Sequence, residues 1–343
     1  MKIALDAMGG DKAPEAPVEG GLIASAHCKG AIEVVFVGDH QRIADEIDRH
    51  KDLINRARYS IVHASQVVGM DDSPSSALKQ KPDSSIFVAQ KLQKAGKVDA
   101  VVSAGNTGAA MASGLLTLGR LKGVHRPAIG SFVPHEDDFT FIIDVGANVD
   151  SKPRNLVEFA IMGSIFTSKI MGKPRPKVAL LSIGEEKKKG NELTLQVHAQ
   201  LSQTGLNFIG NVEGNDILNS EANVIVCDGF VGNILLKFAE NLAEVLGDQI
   251  RRNIKGSRRA LIGGLLMKPV FSKVKKAWDY EEYGGVPLLG INGVVIISHG
   301  RSTPKAVSNA ILKAREMVDS KINEIIQHEL EALRGLEVVA ENA

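Results

Sequence analysis

The chain has 343 residues with a formal net charge of +1, enough length for one large or two medium domains and no electrostatic case for a nucleic-acid partner. With 44% hydrophobic residues, wholesale disorder is excluded, and the low aromatic content (4%) beside 34 glycines suits tight strand-to-helix turns rather than a base-stacking surface. Two cysteines, Cys28 and Cys227, are too few for a disulfide framework or a Cys-rich zinc site, so a reducing compartment is expected.

The first segment, MKIALDAMGGD, reads as a strand running into a glycine loop, without the apolar core of a secretory signal. The same pattern of apolar run, Gly/Asp/Asn/Ser cluster and helical stretch recurs along the chain. It predicts strands at 2–6, 33–37, 59–63, 99–103, 128–133, 140–144, 177–182, 207–209, 223–227 and 293–298. Most of these runs are continuous Val/Ile/Leu/Ala, the signature of strands covered on both faces. Their alternation with helices predicts βαβ units and an α/β fold with a mainly parallel sheet.

Helix starts follow from capping residues. Asn106 or Thr107 caps 108–118, Ser151 caps a helix with Pro153 in its first turn, Asn191 caps 192–203, and Asn233 caps 234–255. Thr303 followed by Pro304 starts the last helix, 304–334. There is no Pro/Ser-rich linker and no internal repeat, so residues 1–343 are expected to form one domain. A helical arm at 234–280 is inserted before the last strand. Within it, residues 249–278 carry nine Lys/Arg and no Asp/Glu around the apolar run ALIGGLLM. The run is too short to span a bilayer. Arg251, Arg252, Lys255, Arg258 and Arg259 with Leu265 and Leu266 fit a segment lying on an anionic membrane surface, an acidic carrier, or a partner subunit.

In open parallel sheets, ligands bind beyond the carboxyl ends of the strands. Gly-rich exits before helix N-termini present free N–H groups and the positive end of the helix dipole. The loop 103–109, SAGNTGA, has both features, and Gly190–Asn191 and Gly232–Asn233 repeat them. The N–H groups of Gly105, Asn106, Thr107 and Gly108 are therefore candidates for cradling a phosphate-like anion. The run Lys187–Lys189 lies on the same rim; Lys188 and Lys189 are candidates for neutralising its charge. His63 and His299 end strands: His63 is a candidate to orient phosphate or to act as an acid–base group, His299 to bind phosphate or substrate, and either could be a satisfied structural histidine. Asp6, Asp144 and Asp228 also end strands, with loop-tying as their plain role. The amides of Asn148, Asn191, Asn211 and Asn233 could position substrate. No GxxxxGK[ST], no GxGxxG after the first strand, no GxSxG and no HExxH is present, and the histidines lack metal-ligand spacing, so neither metal nor cofactor is expected.

In order, DAMGGD (6–11), SAGNTGA (103–109), DVGANVD (144–150), IGEEKKKGNEL (183–193), GNVEG (210–214), CDGFVGN (227–233), YGGVPLLG (283–290) and HGRS (299–302) resemble the PlsX family, the acyl-acyl-carrier-protein:phosphate acyltransferases of bacterial phospholipid synthesis. The resemblance runs to about residue 330. It implies a three-layer α/β/α fold similar to phosphotransacetylases and isopropylmalate dehydrogenases. It also implies a homodimer and a cytoplasmic enzyme peripherally attached to membrane. The implied reaction is attack of orthophosphate on the thioester of a long-chain acyl carrier protein. The acyl phosphate would pass to a membrane glycerol-phosphate acyltransferase. Two other readings are open on the residues: a nicotinamide- and metal-dependent dehydrogenase on the same fold, with Asp144, Asp150 and Asp228 as ligands, and a membrane-surface scaffold.

Overall fold

A computed structural model describes residues 1–135, 138–219, 221–271 and 284–341. Continuous apolar runs become strands, each followed by a capped helix. The N-terminal half comprises β1 (Lys2–Asp6), α1 (Glu15–His27), β2 (Glu33–Gly38), α2 (His40–Ile47), α3 (Lys51–Ile54), β3 (Arg58–His63), α4 (Pro74–Gln80), α5 (Ser85–Lys94), β4 (Ala100–Ser103) and α6 (Thr107–Thr117). The next part comprises β5 (Ala128–His135), β6 (Asp138–Ile143), α7 (Pro153–Ile170), β7 (Lys177–Leu181), α8 (Glu192–Leu201), β8 (Asn207–Val212), β9 (Val224–Val226), α9 (Gly229–Lys255) and α10 (Arg258–Leu266). The chain closes with β10 (Val286–Leu289), β11 (Val294–Ile297), α11 (Pro304–Asp319) and α12 (Ile322–Glu341).

The described strands form one sheet in the order β3-β2-β1-β4-β11-β10-β5-β6-β9-β7-β8. It is mainly parallel, as expected. Alternate residues of each strand enter separate cores: Ile3 and Leu5 belong to the one that holds residues of α1, α7 and α11, and Ala4 to the one that holds residues of α5 and α6 on the other face. Three layers result.

Two features differ from the sequence expectation. β10 was not expected, because VPLL is short and contains Pro287, which cannot donate to a ladder. It nevertheless sits mid-sheet, antiparallel to both β11 and β5, and β5 is antiparallel to β6. Consequently β3-β2-β1-β4-β11 and β6-β9-β7-β8 are two parallel blocks running in opposite directions. They are also staggered. Val286 pairs with Ile297, which is level with Ser103 at the end of the first block. Leu288 pairs with Ile129, beside Gly130, whose partner Ile143 ends the second block. Gly130 is level with Pro287, one residue from Val286, so the two C-terminal edges lie only about 3 Å apart along β10. Both sets of strand exits therefore open onto one cleft.

Several caps also move. Lys152, not Ser151, precedes α7, and Asp228 rather than Asn233 caps α9, its carboxylate accepting from the Phe230 and Val231 N–H groups. The last helix breaks at Lys321, which has φ +52°, into α11 and α12. Asn106, Asn191 and Thr303 cap α6, α8 and α11 as expected. In α9 only Gly229 and Gly232 are buried, so the helix projects as an arm that α10 continues. Residues 272–280 of the expected arm lie outside the described residues.

Candidate active site

The first-block exits are pressed together through glycine. A Cβ on Gly9 would lie 2.5 Å from Asp6 Oδ2 and 2.8 Å from the Gly105 nitrogen, and Gly10, at φ +102°, lies against the backbone of Gly300 and Ala104. Asp6 is buried; it accepts from Ser103 Oγ at 2.7 Å and from the Met8 N–H at 3.3 Å. Burial pushes its carboxyl up, against the partial relief from these hydrogen bonds.

The second block repeats the device. Buried Asp144, the residue after β6, accepts from the N–H groups of Ile129, Gly146, Ala147 and Asn148. Burial raises it too. A Cβ on Gly232 would meet the Asp144 carbonyl oxygen at 1.9 Å. Gly105-x-x-Gly108 at the start of α6 is thus matched in spacing by Gly229-x-x-Gly232 at the start of α9; Gly229 and Gly232 press on the Asp144 exit and Gly105 on Asp6 and Gly9, whereas Gly108 packs on Pro74 of α4.

Between α6 and α9 lies a cavity of about 400 Å³ on one face of β5, β10 and β11. Thr107 and Gly108 stand at one end, with Gly146 and Asn233 reaching in from the second block and Ser298, His299 and Ser302 from the β11 exit. Among the described residues, the N–H groups of Asn106, Thr107 and Gly108 have no acceptor, whereas Gly105 already donates to Ser103 Oγ at 3.1 Å. The expected cradle is therefore three N–H groups rather than four. Ser131 and Ser302, 8% and 3% exposed, line the cavity with hydroxyls that have no hydrogen-bond partner among the described residues. His299 Nδ1 accepts from the Arg301 N–H, so the neutral ring carries its proton on Nε2.

The expected amides fare unequally. Asn106 caps α6 and donates to the carbonyls of Gly69, Met70 and Asp72. Asn148 donates to Pro127 O and Asp144 Oδ2. Asn191 is a helix cap, and Asn211 bonds His198 and the Glu186 carbonyl. These amides hold loops; of the five, Asn233 is the one whose side chain lines the cleft with no hydrogen-bond partner among the described residues. His63 ends β3 at the sheet edge, three strands and about 14 Å from β4. It does not line the cavity, and its Nδ1 accepts from the His40 N–H. Lys188 and Lys189 are exposed on the β7 exit, two strands (about 10 Å) from β6 and on the same C-terminal edge as Asp144.

Of the three ligands that a dehydrogenase reading needs, Asp144 and Asp228 are committed to backbone N–H groups, and Asp150 is exposed beside Arg126. Cys227 is buried, and burial, reinforced by Asp144 and Asp228, pushes its thiol well up; it is no nucleophile. Arg251 pairs with Asp248, and Leu265 and Leu266 are 71% and 77% exposed on α10. The Arg258 side chain lies outside the described residues. Sequence reasoning missed Ser131 and Ser302. A lone serine in the apolar run AIGSFV was the available signal for Ser131.

Residues 1–325 match the family described as fatty acid synthesis protein. Phosphate acyltransferases of Heliobacterium modesticaldum and Dictyoglomus turgidum are 48% and 50% identical over 330 and 328 residues. They align with 96% and 95% of this chain and 98% and 96% of their own. Among solved structures, a phosphotransacetylase from Streptococcus pyogenes superposes with a TM-score of 0.61 at 18% identity, covering 93% of this chain and 94% of its own. A branched-chain phosphotransacylase from Enterococcus faecalis gives 0.57 at 14% identity, covering 93% and 99%. At such identities the structures share the fold.

Proposed function

The chain belongs to the fatty acid synthesis protein family, and on that premise we propose that it is a phosphate acyltransferase moving a long-chain acyl group from acyl carrier protein to orthophosphate. The observation that carries this reading is the convergence of both strand-exit edges on a cleft with free N–H groups at one end and an apolar floor beyond.

Phosphate is already an anionic nucleophile near neutral pH, so the protein has to hold it, aim it and stabilise the oxyanion. In this reading the N–H groups of Asn106, Thr107 and Gly108 hold the phosphate at the dipole end of α6. Ser131, Ser302 and Asn233 supply further hydrogen bonds, and Lys188 and Lys189 lower the charge from the opposite edge. A phosphate oxygen bonds to the thioester carbon, the tetrahedral intermediate collapses, the C–S bond breaks, and the carrier thiolate takes a proton. His299 suits that proton transfer better than His63, because it lines the cleft.

The arm supports two partner readings. Val231, Ile234, Phe238, Leu242 and Val245 are exposed at three- and four-residue spacing along α9, the pattern of a helix seam buried by a second copy. On α10, exposed Leu261, Ile262, Leu265 and Leu266 beside Arg259 and Lys268 suit an anionic membrane surface. There the acyl phosphate would meet a membrane glycerol-phosphate acyltransferase. Among the described residues no helix is long and apolar enough to cross a membrane.

Thiol release from palmitoyl-acyl-carrier-protein, measured with and without inorganic phosphate and with hydroxylamine as a trap, tests the reading. Phosphate-dependent release with a trapped acyl group is the expected result. Release that ignores phosphate means hydrolysis instead.

A further inference from the structure

The cavity is chemically lopsided. Its floor is Ile129, Val286 and Ile297, on three adjacent strands, and its walls are Met111 of α6 and Leu236 of α9. Phe132 contributes no ring to it: that ring packs on the opposite face against Phe139, Phe141 and Phe166. Among the described residues no Phe, Tyr or Trp ring faces this floor and the one lining ring is the His299 imidazole at the β11 exit, so the floor suits a flexible aliphatic ligand. The volume of about 400 Å³ lies in the range of small-ligand pockets. Polar groups line it at the α6 N-terminus, where Thr107 and Gly108 keep free N–H groups, and on α9, where Lys237 and Glu240 pair with each other at 2.8 Å. Met111 stands four residues further on, about 6 Å along the helix, a few methylenes beyond a carbonyl held at Thr107.

We propose that this trough between α6 and α9 is the acyl-chain channel, and that Met111 and Leu236 set the chain length the protein accepts. The proposal rests on the acyl-transfer reading and adds the residues that read the chain. Each methylene laid on the floor adds roughly fourfold to binding, so a wall that advances into the trough penalises long chains far more than short ones. Leu236 follows Asn233 by three residues on the cleft side of α9, so the chain passes from the polar end directly between the two walls.

The test compares kcat/KM for palmitoyl- and octanoyl-acyl-carrier-protein at saturating phosphate. Met111→Trp and Leu236→Trp are each expected to lower the palmitoyl-to-octanoyl ratio at least tenfold. Met111→Ala, which cannot overpack, is expected to move the ratio the other way. Leu116→Trp, on the exposed side of α6, is the control and keeps the wild-type ratio. Unchanged ratios in all the Met111 and Leu236 variants, with phosphate-dependent release intact in the wild type, would overturn the channel and leave the acyl-transfer reading standing. Wild-type protein that releases no thiol in the presence of phosphate would overturn both.

Discussion

Ser103 Oγ donates to Asp6 Oδ2 at 2.7 Å and accepts from the Gly105 N–H at 3.1 Å, so one hydroxyl couples the ends of β1 and β4 to the loop that starts α6. The pair is buried, and water cannot replace either bond. The position of the free N–H groups at Asn106–Gly108 therefore depends on a carboxyl that never enters the cleft.

That carboxyl makes stability depend on pH. Burial raises Asp6 above the unfolded value of 3.8, so the folded state holds more protons than the unfolded state from there up to the raised value. Stability falls as pH rises through that window and levels off above it. Asp144 adds a second contribution of the same sign. Asp6→Asn is expected to flatten the decline by up to about 1.4 kcal/mol per pH unit. Urea unfolding at a series of pH values reads this directly, and superimposable slopes would show that Asp6 is not the group responsible.

Asn106→Ala removes a helix cap and three carbonyl ties to Gly69, Met70 and Asp72. A loss of about 1–2 kcal/mol is expected from the cap alone. Asn106→Asp keeps the cap and loses the donors, so thermal melts should place it between alanine and wild type.

Lys188 and Lys189 are exposed and have no ion pair among the described residues. The double change Lys188→Ala, Lys189→Ala should leave the melting temperature unchanged. If the lysines reach the phosphate, kcat/KM for phosphate should fall about a hundredfold, the size of a lost oxyanion-stabilising donor. Wild-type rates in the double variant would remove them from the mechanism.

Leu265→Glu places a charge at the exposed tip of α10. Co-sedimentation with phosphatidylglycerol liposomes should drop sharply while activity in solution persists. Equal sedimentation of variant and wild type would refute membrane contact through this tip.

Phe238 lies mid-seam on α9 and is 66% exposed. Phe238→Glu should convert a dimer to a monomer in sedimentation velocity. A wild type that is monomeric at the same concentration would dismiss the seam as a subunit interface.

The sequence by itself determined the local features. Unbroken Val/Ile runs marked β1, β2, β4 and β9, and Asn106, Asn191 and Thr303 announced their helices, because capping and burial patterns act over a few residues. It also singled out the loop 103–109 and the exposed apolar tip at Leu265. What the tertiary structure decided was adjacency. Strand order carried His63 to the sheet edge, and the antiparallel β10, hidden by Pro287, turned one supposed edge into two opposed edges facing one cleft. The amides of Asn148 and Asn211 looked available in the sequence and are consumed by neighbouring loops. Ser131 and Ser302 gained their place only when β5 and the β11 exit came together. The physical reason is that strand pairing and stagger answer to burial summed over distant segments, and periodicity within a segment carries no record of its neighbour.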